Sequence, residues 1–322
     1  PGDNHKFRDM GYHGPLNVRQ AIERSCDVYF YDLAYNMGVT ALTDVLAEFA
    51  LGTRTNIDLI GESAGIAPTP EYKRRRFKQP WYTGDTVTAG IGQSYWLTTP
   101  LQIAQATAII GMQGEACEPH LLGATATPPS NQKEFTNPNP IAPIILDSEQ
   151  YWQVIVEGME AVVHGSRGTA RRHKLLNYRS AGKTGTAQVK TIAQGAKYDA
   201  ANLERKYHDH AWYTAFAPVE NPQIAIALIV ENGGSGSRVA APIGKEVMDA
   251  WLNDFDTPLG RRALKIFEEE KERYALEASL TEEELQLMLY EELLENGAFP
   301  KEAMPIKLPK TLMQKRQPTP AD

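Results

Sequence analysis

The sequence predicts an α+β fold, an antiparallel sheet flanked by helices, and three observations carry that expectation. Up to about residue 165, apolar side chains recur at helical spacing between cap signals. From residue 178 the pattern turns into runs of aromatic and β-branched residues bounded by Gly, Pro and Asn. The last two runs, 211–217 and 223–231, are separated only by 218–222, too short for a parallel crossover, so they form an antiparallel hairpin. A helical stretch over 239–251 closes the unit, giving helices, three strands and a helix rather than an alternating parallel layout.

In chain order, Asn17 caps a helix in which Val18, Ala21 and Ile22 are apolar at helical spacing, with Gln20 completing a capping box. Ser25-Cys26-Asp27 interrupts it. A second apolar, aromatic segment over 28–37 is closed by Gly38 in the C-cap position, so the triplet is expected at the junction of two helices. A further helix starts near Thr40 and ends at Gly52. The next stretch, with Pro68, Pro70, Lys73, Arg74, Arg75, Arg76 and Pro80, reads as a solvated basic loop. Thr99-Pro100, a cap followed by Pro in the first turn, opens an apolar helix over 101–110 that is expected to be buried. Residues 124–143, rich in Pro, Asn, Thr and Ser, read as an irregular excursion. Asp147 or Ser148 then caps a helix through Tyr151, Ile155, Met159 and Val163 that ends at His164-Gly165. The three strands are predicted over 178–189, 211–217 and 223–231.

With 322 residues, 42% hydrophobic and 23% charged, the chain can bury one large core, or a core plus an appendage. After residue 254 the character shifts to charge-rich helix, over 261–277 and then over 285–294 behind a Thr281-x-x-Glu284 capping box. The expected organisation is one unit over 1–254 and a charged helical extension over 255–322. A formal net charge of −7 and a pI near 5.6 give no general attraction to nucleic acid or anionic lipid, so no nucleic-acid partner is expected. Cys26 and Cys117 cannot build a disulfide framework. No run of about 18 apolar residues offers a membrane span. The chain opens at Pro1-Gly2-Asp3 without an initiator Met, in what reads as mid-loop. The expectation is a protein truncated at its N-terminus, with any targeting or anchoring segment upstream.

Two motifs carry chemistry. Lys183-Thr184-Gly185-Thr186 lies inside the first predicted strand, where a glycine weakens the strand and marks close approach of a ligand backbone. That suits an extended substrate added along an exposed sheet edge. There Lys183 supplies a fixed positive charge for a carboxylate, and the hydroxyls of Thr184 and Thr186 orient it. The backbone N–H of Thr186 is one oxyanion-hole donor, an interaction worth on the order of 3 kcal/mol in acyl transfer. Upstream, Ser25-Cys26-Asp27 sets a hydroxyl and a carboxylate two residues apart, although Ser and Asp near a helix start also serve as caps.

The setting of these motifs makes a family recognisable. Ser25-Cys26-Asp27-Val28-Tyr29-Phe30-Tyr31, Phe77-Lys78-Gln79-Pro80-Trp81-Tyr82-Thr83-Gly84-Asp85-Thr86, Gly90-Ile91-Gly92-Gln93, Thr99-Pro100-Leu101-Gln102, Ala181 to Gln188, Thr214-Ala215-Phe216-Ala217-Pro218 and Glu231-Asn232-Gly233-Gly234 occur in that order. Together they resemble the transpeptidase domain of the class B penicillin-binding proteins, most closely its elongation-specific members in rod-shaped Gram-negative bacteria, over about residues 1–251. The resemblance implies the penicillin-recognising serine transpeptidase (β-lactamase-like) fold, incomplete at the N-terminus. It implies a peptidoglycan D,D-transpeptidase that cross-links stem peptides through an acyl-enzyme. By resemblance, Ser25 relays protons between the nucleophile's lysine and the leaving amine, while Asp27 holds Ser25 and binds the substrate amide. Lys183 with Thr184, Gly185 and Thr186 grips the stem peptide, or the β-lactam carboxylate that mimics it. No cofactor for catalysis is implied. The implied partners are peptidoglycan stem peptides, β-lactams and membrane proteins of cell elongation, and the implied location is the periplasmic face of the inner membrane, with the anchor upstream.

The family's nucleophile is the Ser of a Ser-x-x-Lys at a helix N-terminus. Ser130-Asn131-Gln132-Lys133 sits in the irregular excursion. Ser180-Ala181-Gly182-Lys183 lies on a strand, where residues three apart are about 10 Å apart and point to opposite faces, so the lysine cannot take the serine's proton. The attacking serine is therefore expected upstream of Pro1, and residues 1–322 alone are not expected to be acylated by penicillin. Two other readings are a β-lactamase, for which no clear deacylating base is seen, and a non-catalytic penicillin-binding or scaffold module whose charged tail contacts partners.

Asp3, His5, Asp9, His13 and Cys26 gather donors that suit zinc, while the spacing alone favours a polar loop beside a buried cysteine. The resemblance implies a structural zinc on Asp9, His13 and Cys26, with a fourth ligand at Asp3 or upstream, tying the loop to the helix that presents Ser25. Gly90-Ile91-Gly92 lacks the lysine of a phosphate loop and reads as tight packing near the site. His208 and His210, before Trp212, read as loop residues at the mouth of the hairpin and are assigned no role.

Overall fold

The computed structural model describes residues 7–9, 11–126, 133–173, 177–190, 203–254 and 256–257, with scattered positions between 260 and 272. The chain divides into two units, Pro1–Thr257 and Pro258–Asp322. The architecture that follows is that of the first unit; the helix predicted over 285–294 and the Thr281 capping box lie outside the described residues. Among the described residues no helix is long and apolar enough to cross a membrane.

Local signals decide the first helices. Asn17 caps α1 (Val18–Arg24), accepting from Gln20 N at 2.9 Å while Gln20 Oε1 accepts from Asn17 N at 3.1 Å. Two orphan donors of the first turn are thereby satisfied. Ser25 ends α1 in the left-handed region at φ 53°, and α2 (Asp27–Glu48) begins two residues later. Inside α2, Gly38 leaves helical geometry at φ 78°, so the two helices read from the sequence meet across a kink.

The basic loop expected next is instead α3 (Pro70–Phe77), capped by Thr69. Its Lys73 is 2% exposed. Asp85 Oδ2 lies 2.5 Å from the Lys73 ammonium and the Tyr82 ring lies 4.4 Å from it, so the charge is neutralised inside the fold while Arg74, Arg75 and Arg76 face solvent. Asp85 also accepts from Tyr82 N at 2.7 Å and so starts α4 (Thr83–Ala89), a helix that sequence reasoning missed.

Thr99 and Gln102 form the capping box of α5 (Pro100–Gly111). Its buried face includes the fully buried Gln102, whose amide donates to Thr53 O at 2.5 Å and Ala64 O at 2.9 Å. The excursion after it is not wholly irregular: β1 (Ala124–Ala126) pairs with β2 (Lys133–Phe135). Ser148 caps α6 (Glu149–His164).

β3 (Ala181–Ala187), β4 (His210–Ala217) and β5 (Ile224–Val230) form an antiparallel sheet in that order, somewhat shorter than predicted. α7 (Ala241–Leu252) follows a π-helical turn over Gly236–Ala240. The core joins α6 and α7 to the sheet through Val162, Val163, Ala181, Phe216 and Met248. Each large side chain buried there contributes roughly 1.5–3 kcal/mol. Among the described residues β3 is an edge strand of this sheet.

Candidate active site

The turn between α1 and α2 and the middle of β3 meet. Lys183 Nζ donates to Ser25 Oγ and, at 2.9 Å, to Thr184 O, joining positions 158 residues apart. Ser25 reaches this point because its left-handed backbone turns the chain sharply between the helices. Asp27 opens α2, where a carboxylate is favoured by the helix dipole. Burial raises the Asp27 carboxyl and the neighbouring Asp9 charge raises it further, opposed by Lys183 and His13. Burial pushes the Lys183 ammonium down to about 8, with Asp27 opposing. The lysine expected to be a fixed charge is therefore held well below the usual lysine range, because its surroundings desolvate it.

The other sequence-assigned residues divide. Gly185 and Thr186 lie on β3 beside the cleft described below. The Thr184 hydroxyl pairs with Thr169 Oγ1 at 2.7 Å. Ser180, the second formal Ser-x-x-Lys serine, is fully buried, with its N–H donating to His164 Nε2 at 3.1 Å. Its lysine, Lys183, is turned to Ser25 instead, as strand geometry requires. Ser130 lies outside the described residues.

Two site residues carried no role in the sequence reading. Gln93 donates from Nε2 to Thr186 O at 2.9 Å and accepts from Gln188 N at 3.4 Å. His210 stands within β4, not in a loop, lines the cleft, and accepts from Asn232 N at Nδ1 at 2.9 Å. Gln93 was visible only as the last residue of Gly90-Ile91-Gly92-Gln93. The expected tight packing at Gly90 is present: a Cβ there would lie 2.3 Å from that of Ala34.

Between β3, β4 and the helices opens a cleft of ≈610 Å³, lined by Leu42, Leu46, Ile103, Trp212 and Ile229, with Lys183 in its wall. Its lining is mainly apolar. The helix beside it is also uncovered: of α2's residues only Ala34 and Thr43 are buried, while Val28, Leu33 and Val45 are 50%, 42% and 45% exposed.

Beside Ser25, the ligand atoms of Asp9, His13 and Cys26 lie within 4.8 Å of one another. Asp9 Oδ1 is 3.3 Å from His13 Nε2, and Asp9 Oδ2 accepts from Val28 N at 3.4 Å. Cys26 is buried, and burial, then the Asp9 hydrogen bond, raises its thiol. Asp3 and His5 lie outside the described residues.

Residues 1–249 match the family model of the penicillin binding protein transpeptidase domain. The peptidoglycan D,D-transpeptidase MrdA of Haemophilus influenzae is 41% identical over 260 residues, 79% of this chain and 39% of that protein. MrdA of Acinetobacter baumannii is 43% identical over 256 residues, 78% of this chain and 37% of that protein. The chain thus spans about two fifths of the length of these curated relatives. Among solved structures, Pseudomonas aeruginosa PBP2 in complex with WCK 5153 is similar with TM-score 0.66 and 42% identity, over 78% of this chain and 53% of that one. The complex between PBP2 and MreC from Helicobacter pylori gives 0.64 and 32%, over 77% and 43%.

Proposed function

Because the chain belongs to the penicillin-binding protein transpeptidase family, we propose that it forms the floor and one wall of the active site of a peptidoglycan D,D-transpeptidase of cell elongation. The observation that carries this reading is the hydrogen bond between Lys183 and Ser25 beside Asp27. The ammonium grips the carboxylate of the stem peptide, or of a β-lactam. In an antiparallel strand a residue's N–H and C=O share one side, so the Thr186 N–H faces the open edge with its carbonyl and serves as an oxyanion donor. A serine oxygen bonds to the acyl carbon, the peptide C–N bond breaks, and the serine's proton passes through Ser25 to the departing amine. The nitrogen of an acceptor amine then bonds to the acyl carbon, the ester C–O bond breaks, and the amine's proton returns to the serine oxygen.

The attacking serine comes from a segment outside these 322 residues. Ser180 is fully buried, and the many exposed apolar residues of α2 beside the Ser25 turn support a further segment packing there. The Helicobacter pylori relative is seen in complex with MreC, which supports an elongation partner of that kind for this protein at the periplasmic face of the inner membrane. The test is labelling by fluorescent penicillin of the protein encoded by the full gene. Lys183→Ala and Ser25→Ala are each expected to slow labelling by at least about 100-fold, the scale of lost positioning and proton transfer. Labelling at the parent rate in both variants would overturn the reading.

A second proposal concerns Asp9, His13 and Cys26. One oxygen, one nitrogen and one sulfur donor lie within 4.8 Å of one another, with Asp9 Oδ1 and His13 Nε2 at 3.3 Å, against the roughly 3.5 Å spacing that zinc bonds of about 2.0–2.3 Å impose. Zinc bound there is structural, supplying the energy that ties the loop bearing Asp9 and His13 to the turn of Ser25. Stoichiometric zinc in the purified protein, and a lower melting temperature after chelation, are expected. Metal-free protein with an unchanged melt would refute it.

A further inference from the structure

The free edge of β3 is not bare. Peptide groups alternate sides along a strand, so residues 184 and 186 direct N–H and C=O away from β4, and Gln188 follows directly after the strand's end at Ala187. Thr184 O accepts from Lys183 Nζ at 2.9 Å, Thr186 O accepts from Gln93 Nε2 at 2.9 Å, and Gln188 N donates to Gln93 Oε1 at 3.4 Å. One carboxamide thus fills a donor and an acceptor position that an added strand would occupy.

The backbone delivers Gln93 to this place. Gly92 and Ser94 on either side are left-handed, at φ 75° and 73°. Gln93 N bonds to Thr88 O at 3.1 Å, and Gly90 wedges the loop against α2. The loop is fixed, whereas the carboxamide is partly exposed and free to rotate about three side-chain torsions once its bonds to the edge are exchanged.

We propose that Gln93 caps the substrate-pairing edge of β3 at Thr186 and Gln188, and that an extended peptide displaces it, which makes Gln93 a specificity-determining residue for peptide length. This rests on the reading of the site as one that takes an extended peptide. A strand running from Thr184 to Gln188 spans about 13 Å, so only a peptide several residues long reaches both capped positions. When it does, its backbone exchanges hydrogen bonds with Gln93 instead of adding them, and those two positions contribute little to net affinity. The cap holds long peptides near the affinity of short ones and leaves the edge closed to strand addition when no substrate is bound.

The experiment compares the full chain with its Gln93→Ala variant in two readouts. The first is amide hydrogen exchange at Gln188, which does not depend on any substrate. Exchange there is expected to rise at least about tenfold in the variant, and an unchanged rate overturns the cap. The second is fluorescence anisotropy with a labelled pentapeptide ending in D-Ala-D-Ala, with Lys183→Ala as control. Gln93→Ala is expected to bind the pentapeptide about three- to tenfold more tightly, the scale of one or two hydrogen bonds no longer exchanged. Equal or weaker binding by Gln93→Ala, with binding still abolished by Lys183→Ala, overturns displacement and leaves the transpeptidase reading standing. No pentapeptide binding by the parent chain overturns both.

Discussion

In the proposed function Lys183 holds a carboxylate, a task that calls for the charged ammonium. Burial brings it to about 8, from 10.5. The charged form therefore dominates below pH 8 and is lost as pH rises through that value. Affinity for a carboxylate ligand is expected to be flat at low pH and to fall about tenfold per unit above pH 8, with Lys183→Met showing no such break; titration calorimetry across the alkaline range checks it, and a flat profile in the parent protein contradicts it. The same shift has a stability consequence. Between pH 8 and 10.5 the unfolded chain holds a proton that the folded chain has released, so this residue's contribution to stability rises with pH there. Ser25, Asp27 and Lys183 were singled out in the sequence because each sits in a short contiguous motif. Gln93 and His210 were not, because what gives each its place is a partner far along the chain: Thr186 for Gln93, and Asn232 for His210.

At the scale of elements, the α3–α4 unit shows what a charge run conceals. Four consecutive cations read as solvated, yet Lys73 is enclosed by Asp85 and Tyr82, residues that follow it by 12 and 9 positions. Removing one partner of a buried pair strands the other charge. Lys73→Ala is expected to cost about 3–5 kcal/mol, read as a shift in the urea midpoint, because Asp85 loses its counter-charge while still capping α4. The double variant Lys73→Met, Asp85→Asn is expected to cost less than Lys73→Ala alone, since no charge is left buried, and a loss under about 1 kcal/mol in the single variant would show the pair to be effectively solvated. The contrast with α1 and α5 is instructive. Their capping boxes lie within four residues, so the sequence alone placed their starts correctly. The β4–β5 hairpin was legible for the same reason, since its turn is short and its strands adjacent.

At the scale of the whole molecule, one sheet edge, one helix junction and one apolar cleft converge. β3 brings Lys183 and Thr186, the α1–α2 turn brings Ser25 and Asp27, and the donors Asp9, His13 and Cys26 lie beside that turn. On the proposed reading the arrangement supplies a carboxylate grip, a proton relay and an oxyanion donor, and among the described residues no hydroxyl is assigned to attack the acyl carbon. Apolar side chains line the cleft, and Val28, Leu33 and Val45 of α2 are about half exposed. The most direct measurement is the location of the penicillin adduct in the protein encoded by the full gene, by intact mass and peptide mapping. A single adduct on a serine outside residues 1–322 is the expected result. An adduct on Ser25 or on any other residue of this chain, or no adduct on the whole protein, would contradict the account.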